Sequence, residues 1–116
     1  MMNVRNSVQL IGRLGADPEV VRLEGGSVVA KFSVATSDSY KNAKGEKVIE
    51  TMWHRVEAWN KKAELIEKML KKGQEVFVMG KLVYQNYEDK EGITRYVSKI
   101  KLSEFIKLSR EAAEAA

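Results

Sequence analysis

The chain has 116 residues, of which 44% are hydrophobic and 31% charged, with a formal net charge of +4 and no cysteine. This length fits one domain with a single core, and the lack of cysteine excludes disulfides, a thiol nucleophile and the common zinc sites. The sequence contains no apolar run long enough to span a membrane and no signal peptide at its start, so we expect a cytoplasmic protein. The small positive charge does not by itself indicate a nucleic-acid partner.

The first half of the chain predicts three main strands, one short accessory strand and a loop. Residues 7–14 alternate between apolar and polar side chains, which is the period-two pattern of a strand. Residues 20–23 predict a short accessory strand, joined by a Gly-Gly turn to a longer strand at 28–36. The polar stretch 37–47 predicts a long exposed loop, and residues 48–59 return to the strand pattern.

The second half predicts one helix and two strands. The helix covers residues 61–72, with Asn60 as its N-cap. Strands follow at 75–83 and 94–108, separated by a polar hairpin tip at 85–92. The chain thus has five main strands with a helix after the third, which is the arrangement of an all-β OB barrel with hairpin extensions. Another small α+β sheet would also satisfy the periodicity.

Alternation divides the strand at residues 51–59 into two faces. The smaller and mainly apolar set suits the barrel interior: Met52, His54, Val56 and Ala58. The other face carries Thr51, Trp53, Arg55, Glu57 and Trp59. The reverse orientation would bury Arg55 and Glu57, at a cost of several kcal/mol if they are unpaired. We therefore predict that the two tryptophans are exposed, about 20 Å apart, on a face that serves either nucleic acid or a protein partner.

Exposed aromatic side chains beside cations are typical of proteins that bind single strands. Any base can stack on an aromatic ring, while lysine and arginine neutralise phosphates. The guanidinium plane of Arg55 can also stack on a base. Neighbouring strands and loops add further candidates, so the predicted DNA-binding residues are Arg13, Lys31, Tyr40, Trp53, Arg55, Trp59, Lys61, Lys62, Tyr84 and Tyr87.

An enzyme such as a nuclease is the competing class, and the sequence argues against it. Metal-dependent cleavage needs clustered carboxylates, but Glu57 lies on the outer face of its strand, whereas Glu64 and Glu67 lie on the helix. The sequence also has no glycine-rich phosphate-binding motif. We expect no catalytic residue, metal or cofactor, and we interpret the single histidine, His54, as structural. An RNA-binding OB domain stays open, because contacts to the 2′-hydroxyl are not visible in a sequence.

Five motifs, in this order and spacing, resemble the bacterial single-stranded DNA-binding protein family over about residues 3–108. The motifs are Val-Gln-Leu-Ile-Gly-Arg-Leu-Gly-Ala-Asp-Pro-Glu at 8–19, Ala-Thr-Ser-Asp-Ser-Tyr at 35–40, Trp-His-Arg-Val at 53–56, Leu-Lys-Lys-Gly at 70–73 and Val-Met-Gly-Lys-Leu at 78–82. The resemblance implies an OB-fold single-stranded DNA-binding domain at residues 1–108, followed by a short Ala/Glu-rich tail at 109–116. It also implies sequence-independent binding and protection of single strands in replication, recombination and repair, by a cytoplasmic, nucleoid-associated protein.

The same resemblance implies a homotetramer, and it places the stacking aromatics at Tyr40, Trp53, Trp59 and Tyr87. His54 takes a position near a subunit contact in this family. Phe77 and Met79 are large, apolar and outward in strand parity, so we predict them at a subunit interface as well, although a second packing layer within the monomer would look the same. A related primosomal OB protein, which would be a dimer, is the alternative.

The C-terminus departs from the family pattern. Family members typically carry a flexible tail whose acidic-hydrophobic tip recruits replication and repair enzymes. Residues 109–116 of this chain contain no such tip, so the resemblance does not extend to enzyme recruitment. A truncated chain and a tailless variant both remain open.

Overall fold

The computed structural model describes residues 5–108 as a closed barrel of five strands with one accessory strand and one helix. The elements are β1 (Val8–Leu14), β2 (Glu19–Arg22), β3 (Val28–Lys41), β4 (Lys47–Trp59), α1 (Lys61–Met69), β5 (Glu75–Glu88) and β6 (Thr94–Lys107). Sheet order is β1-β5-β6-β4-β3-β2, and an additional β1–β3 pairing closes the barrel. This confirms the predicted OB fold, with its helix after the third main strand. The predicted tail at 109–116 lies outside the described residues.

The barrel core is built from alternate residues of the strands. Along β3 the residues Val28, Ala30, Phe32 and Val34 are all buried, as the period-two pattern requires. They pack with buried residues from the other strands, chiefly Leu14, Val56, Ala58, Val76, Val78, Ile100 and Leu102. Burial of this one set of side chains fixes which face of each strand points outward.

The barrel closes through two short junctions. Parallel strands β4 and β6 pair only at Val56 with Ile100 and at Glu57 with Lys101. Strands β1 and β3 pair only through the last two residues of β1. Beyond these junctions the longer hairpins leave the barrel as two-stranded ribbons, which we call the first arm (residues 37–51, β3–β4) and the second arm (residues 84–98, β5–β6).

The first arm corrects the loop predicted at residues 37–47. Strand β3 continues to Lys41 and pairs with β4 up to Lys47, so only a short turn separates the strands. The side-chain oxygen of Asn42 closes this turn by accepting hydrogen bonds from the backbone N–H groups of Lys44 and Glu46, at 2.9 and 3.0 Å. A ribbon with solvent on both faces needs no apolar alternation, and for this reason the sequence showed no strand there.

The second arm ends in the same kind of turn. The Asp89 carboxylate accepts hydrogen bonds from the backbone N–H groups of Glu91 and Ile93, both at 2.9 Å, and it forms an ion pair with Arg95 at 2.9 Å. The pKa of Asp89 is lowered, most by the hydrogen bond from the Ile93 N–H group and next by the one from the Arg95 side chain. In each arm, therefore, a single side chain closes the turn at the tip: Asn42 in the first arm and Asp89 in the second.

The helix differs from its prediction in two details. It ends at Met69, three residues early, and Asn60 makes no side-chain cap. The Asn60 side-chain oxygen instead accepts a hydrogen bond from Val28 N–H at 3.2 Å, which ties the end of β4 to the start of β3. Helix α1 buries Ala63 and Ile66 in the core. Within residues 5–108, no helix is both long and apolar enough to cross a membrane.

The β1–β3 junction makes a stability prediction through Gly12. A Cβ at this position would collide with the carbonyl oxygen of Ala35 and lie 2.8 Å from Cγ1 of Val34. We expect Gly12→Ala to lower the free energy of unfolding by about 1–3 kcal/mol, because the closing strands would have to separate. Urea denaturation at a fixed protein concentration measures this change. The exposed Gln9→Ala on the same strand is the control and should shift it by less than about 0.5 kcal/mol; equal stability of both variants would contradict the prediction.

Candidate functional site

An open groove of about 780 Å³ lies on the outer face of the barrel, between β3–β4 and the second arm. We call it the groove. Its lining residues are Gly15, Ala16, Asp17, Glu19, Lys31, Phe32, Ser33, Trp53, Arg55, Val56, Glu57, Gln85, Tyr87, Val97 and Lys99. The groove is partly open to solvent, so it suits an extended ligand better than a small molecule that must be enclosed.

Strand alternation explains why these side chains converge. Burial of Val56 and Ala58 in the core turns Trp53, Arg55 and Glu57 outward on β4. In the register of β3 with β4, Ser33 lies opposite Arg55 and Lys31 lies opposite Glu57. Across the groove, the second arm contributes Tyr87 from β5 and Val97 from β6, and β6 adds Lys99 just outside this arm.

Trp53 is the most prominent aromatic side chain of the groove. It is 60% exposed, and part of its indole ring packs on the backbone of Gly15, in the turn after β1. A Cβ added at Gly15 would overlap the ring, with Cη2 of Trp53 only 2.9 Å away. The glycine thus gives one side of the ring a flat support and leaves much of the ring free to stack.

The charges in the groove balance one another. Three lining residues are cationic, namely Lys31, Arg55 and Lys99, and three are acidic, namely Asp17, Glu19 and Glu57. Nζ of Lys99 donates to both carboxylate oxygens of Glu57 at 3.0 Å. Among residues 5–108, no group of three or more His, Asp or Glu side chains could hold a metal ion.

A second opening of about 640 Å³ adjoins the groove and shares Trp53, Arg55, Tyr87, Val97 and Lys99 with it. It lies where β4 and β6 diverge beyond their short junction. His54 lines this opening, and its Nε2 lies 2.8 Å from the hydroxyl oxygen of Thr36. The histidine thus has a hydrogen-bond partner on the neighbouring strand β3.

The groove brings together four of the ten predicted DNA-binding residues: Lys31, Trp53, Arg55 and Tyr87. Trp59 shares the outward parity of Trp53 but lies at the other end of β4, beside α1, and is 39% exposed. Lys61, in the first turn of α1, is exposed next to it. Lys62 forms an ion pair with Glu104 at 3.1 Å.

The three remaining candidates lie elsewhere. Tyr40 is exposed on the first arm. Because side chains alternate along β3, Tyr40 lies on one face of this strand and Ser33, which lines the groove, lies on the other. Tyr84 is exposed, but its side chain and that of Tyr87 lie on different faces of β5. Nη1 of Arg13 donates to the carbonyl oxygen of Gly73 at 2.9 Å, which connects β1 to the segment after α1.

Sequence reasoning missed Gly15, Gln85 and Lys99 as groove residues. Lys99 lies at an outward position of β6 and pairs in register with Val83. The alternation of Val97, Lys99 and Lys101 around buried Ile100 was a usable signal for it. The contact of Gly15 with Trp53 depends on the path of the chain after β1, and no periodicity reports such a path.

The predicted interface residues Phe77 and Met79 are half-buried on the outer face of β5, away from the groove. In register, Phe77 lies between Ile11 of β1 and Ile106 of β6. Both isoleucines are more than half exposed. Ile11, Phe77 and Ile106 thus lie side by side on three neighbouring strands, and we call this set the apolar row. His54 lies instead in the second opening.

A closed five-stranded barrel with an open, aromatic-lined groove on its outer face defines an OB-fold binding module. The single-strand binding protein family matches residues 5–108, and the chain belongs to this family. It is 40% identical over 107 residues to single-stranded DNA-binding protein 1 of Xylella fastidiosa, covering 91% of this chain and 79% of that protein. It is 43% identical over 90 residues to the single-stranded DNA-binding protein of Neisseria meningitidis, covering 78% of this chain and 52% of that protein.

A solved structure agrees with this assignment. The SSB of Plasmodium falciparum, in complex with ssDNA, superimposes with a TM-score of 0.84 at 32% sequence identity. The match covers 94% of this chain and 99% of that chain. The same fold therefore extends over nearly all of both chains, whereas this chain spans about half the length of the Neisseria relative.

The contact between Gly15 and Trp53 can be tested by fluorescence. In a Trp59→Phe background, which leaves Trp53 as the only tryptophan, we expect Gly15→Ala to increase acrylamide quenching of the emission. The added methyl group displaces the indole ring from its backbone support. Ala16→Gly in the same background is the control, because it changes one methyl group in the same turn. Identical quenching in the Gly15→Ala variant and its parent would show that the ring does not depend on this contact.

Proposed function

We propose that this protein binds single-stranded DNA without sequence preference by stacking bases on Trp53 and Tyr87. The observation that carries the proposal is the convergence of these two aromatics with Lys31, Arg55 and Lys99 in one open groove. Stacking contributes about 1–3 kcal/mol per base and tolerates any sequence, because every base has a π-face. The ssDNA bound to the Plasmodium relative supports the same function.

The bound DNA strand continues from the groove along the outer face of β4 towards Trp59. Trp59 lies six positions after Trp53, which is about 20 Å of extended β-strand and room for several nucleotides. Lys61 lies beside Trp59 and contacts a phosphate there, as does Lys62 once it leaves Glu104. Arg13 contributes with the donors that its bond to Gly73 leaves free.

The role that follows is protection of exposed single strands during replication, recombination and repair, in the cytoplasm and at the nucleoid. The names of the Xylella and Neisseria relatives support the single-stranded DNA binding on which this role depends. Coating a strand is a binding function with no catalytic step and no cofactor. Tyr40 joins it when the first arm folds over bound DNA, since the tip of this arm projects beyond the barrel junctions.

Substitution of the groove aromatics tests the proposal. We expect Trp53→Ala and Tyr87→Ala each to weaken binding of oligo-dT by about 1–3 kcal/mol, because each removes one stacking surface. Tyr84→Ala is the matched control, since Tyr84 lies on the same strand as Tyr87 but faces away from the groove. Fluorescence-anisotropy titration measures the affinities, and a parallel titration with oligo-U compares RNA. Wild-type affinity in both groove variants would refute the groove as the DNA site.

We also propose that the protein assembles as a homotetramer through contacts that include the apolar row. The row of Ile11, Phe77 and Ile106 is a continuous apolar surface on the outer face of the sheet. Exposed apolar patches of this kind are characteristic of protein interfaces. Met79 extends the row on β5, and His54 contributes at its own contact near the second opening.

A charge placed in the apolar row should break the assembly. We expect Ile11→Asp to lower the mass measured by light scattering below that of the wild type, because the carboxylate cannot be buried unpaired. Ile49→Asp is the control, since Ile49 is a similarly exposed isoleucine on the first arm. A wild-type mass of two chains would identify the dimer instead of the tetramer. An unchanged mass for Ile11→Asp would exclude this row from the interface.

A further inference from the structure

The ion pair between Glu57 and Lys99 has an unusual position for a DNA-binding groove. Both side chains line the groove, and they are largely shielded from solvent, with 16% and 21% of their surface exposed. The pair bridges β4 and β6 at their short junction, where Val56 pairs with Ile100. A carboxylate is thus fixed in the wall that the DNA must approach.

Glu57 offsets the charge that Lys99 would otherwise present to another anion. An ammonium group has three donors, and both carboxylate oxygens of Glu57 accept hydrogen bonds from it at 3.0 Å. A shielded pair is screened by salt less than an exposed one, so salt does little to weaken the hold of Glu57 on Lys99. Lys31 lies between Glu19 and Glu57 in the strand register, so carboxylate-bearing residues flank it on both neighbouring strands.

We propose that Glu57 is an internal competitor of the DNA backbone that limits affinity by pairing with Lys99. This inference rests on the proposed function. When a strand enters the groove, a phosphate and the Glu57 carboxylate compete for one ammonium group. The groove therefore selects for base stacking on Trp53 and Tyr87 over phosphate contacts, and Glu57 makes bound DNA easier to release.

Neutralising Glu57 without changing its shape is the direct test. We expect Glu57→Gln to bind oligo-dT about three- to tenfold more tightly, because an uncompensated Lys99 attracts phosphate. The slope of log affinity against log salt should steepen by about 0.7, which corresponds to one added phosphate contact with a single strand. The affinities are measured by fluorescence anisotropy across a salt series, below the melting temperature of each variant.

Glu67→Gln is the matched control. It removes the same charge from another ion pair, that of Glu67 with Arg22 at 2.9 Å, on α1 and outside the groove. Its affinity and salt slope should stay close to those of the wild type. The proposal is overturned if Glu67→Gln tightens binding as much as Glu57→Gln does, because net charge would then explain both. It is also overturned if Glu57→Gln leaves binding unchanged or weakens it, since Glu57 would then be inert or would serve to position Lys99.

A second pair of variants keeps the test valid if Glu57→Gln does not fold. Lys99→Gln leaves the carboxylate unpaired in the groove, so it should bind oligo-dT more weakly than the wild type. The double variant Glu57→Gln/Lys99→Gln removes both charges, which a fold tolerates better than the loss of one partner, and it should recover affinity relative to Lys99→Gln. Equal affinity of Lys99→Gln and the double variant for oligo-dT refutes the proposal. Failure of the wild type itself to bind oligo-dT would refute the proposed function instead.

Discussion

Val56 and Ala58 are fully buried on one face of β4, and their burial fixes the opposite face of the strand towards solvent. Successive side chains of a strand alternate, so a one-residue slip would move Arg55 and Glu57 into the core. The same constraint that forms the core therefore presents Trp53 in the groove. The fold and the candidate site therefore depend on the same choice of which face of β4 points inward, so burial of Val56 and Ala58 also fixes the exposed position of Trp53.

Closure of the barrel through two-residue junctions has a second consequence. Because β4 and β6 pair only at Val56–Ile100 and Glu57–Lys101, the two strands diverge immediately beyond that point, and the two openings form beside the junction. The second arm brings Tyr87 across from Trp53, and Lys99 lies on β6 just outside this arm. A longer ladder between β4 and β6 would fill this space with backbone hydrogen bonds and remove the groove.

The sequence was informative where one face of a strand is buried and uninformative where none is. Alternation in residues 51–59 predicted the exposure of Trp53 and the burial of Val56, and both are observed. The same pattern placed Met52 in the interior, but Met52 is 52% exposed, because it lies beside the first arm, where the ribbon leaves the core. Residues 37–47 have solvent on both sides, so they carry no alternation and were mistaken for a loop. A further limit is the register shift between β5 and β6, where Met79 pairs with Glu104 but Gly80 with Leu102. Parity read from one end of β6 does not hold at the other end, because a bulge inserts one residue.

The long strand β5 shows how assembly and DNA binding can coexist on one chain. Its outward positions run from Phe77 and Met79, at the proposed subunit contact, to Gln85 and Tyr87, in the wall of the groove. Met79 and Gln85 are six residues apart, or about 20 Å along an extended strand. A partner subunit that covers the first pair can therefore leave the second pair open. Because the pairs belong to one continuous strand, the assembly would also hold the second arm in a defined orientation towards Trp53.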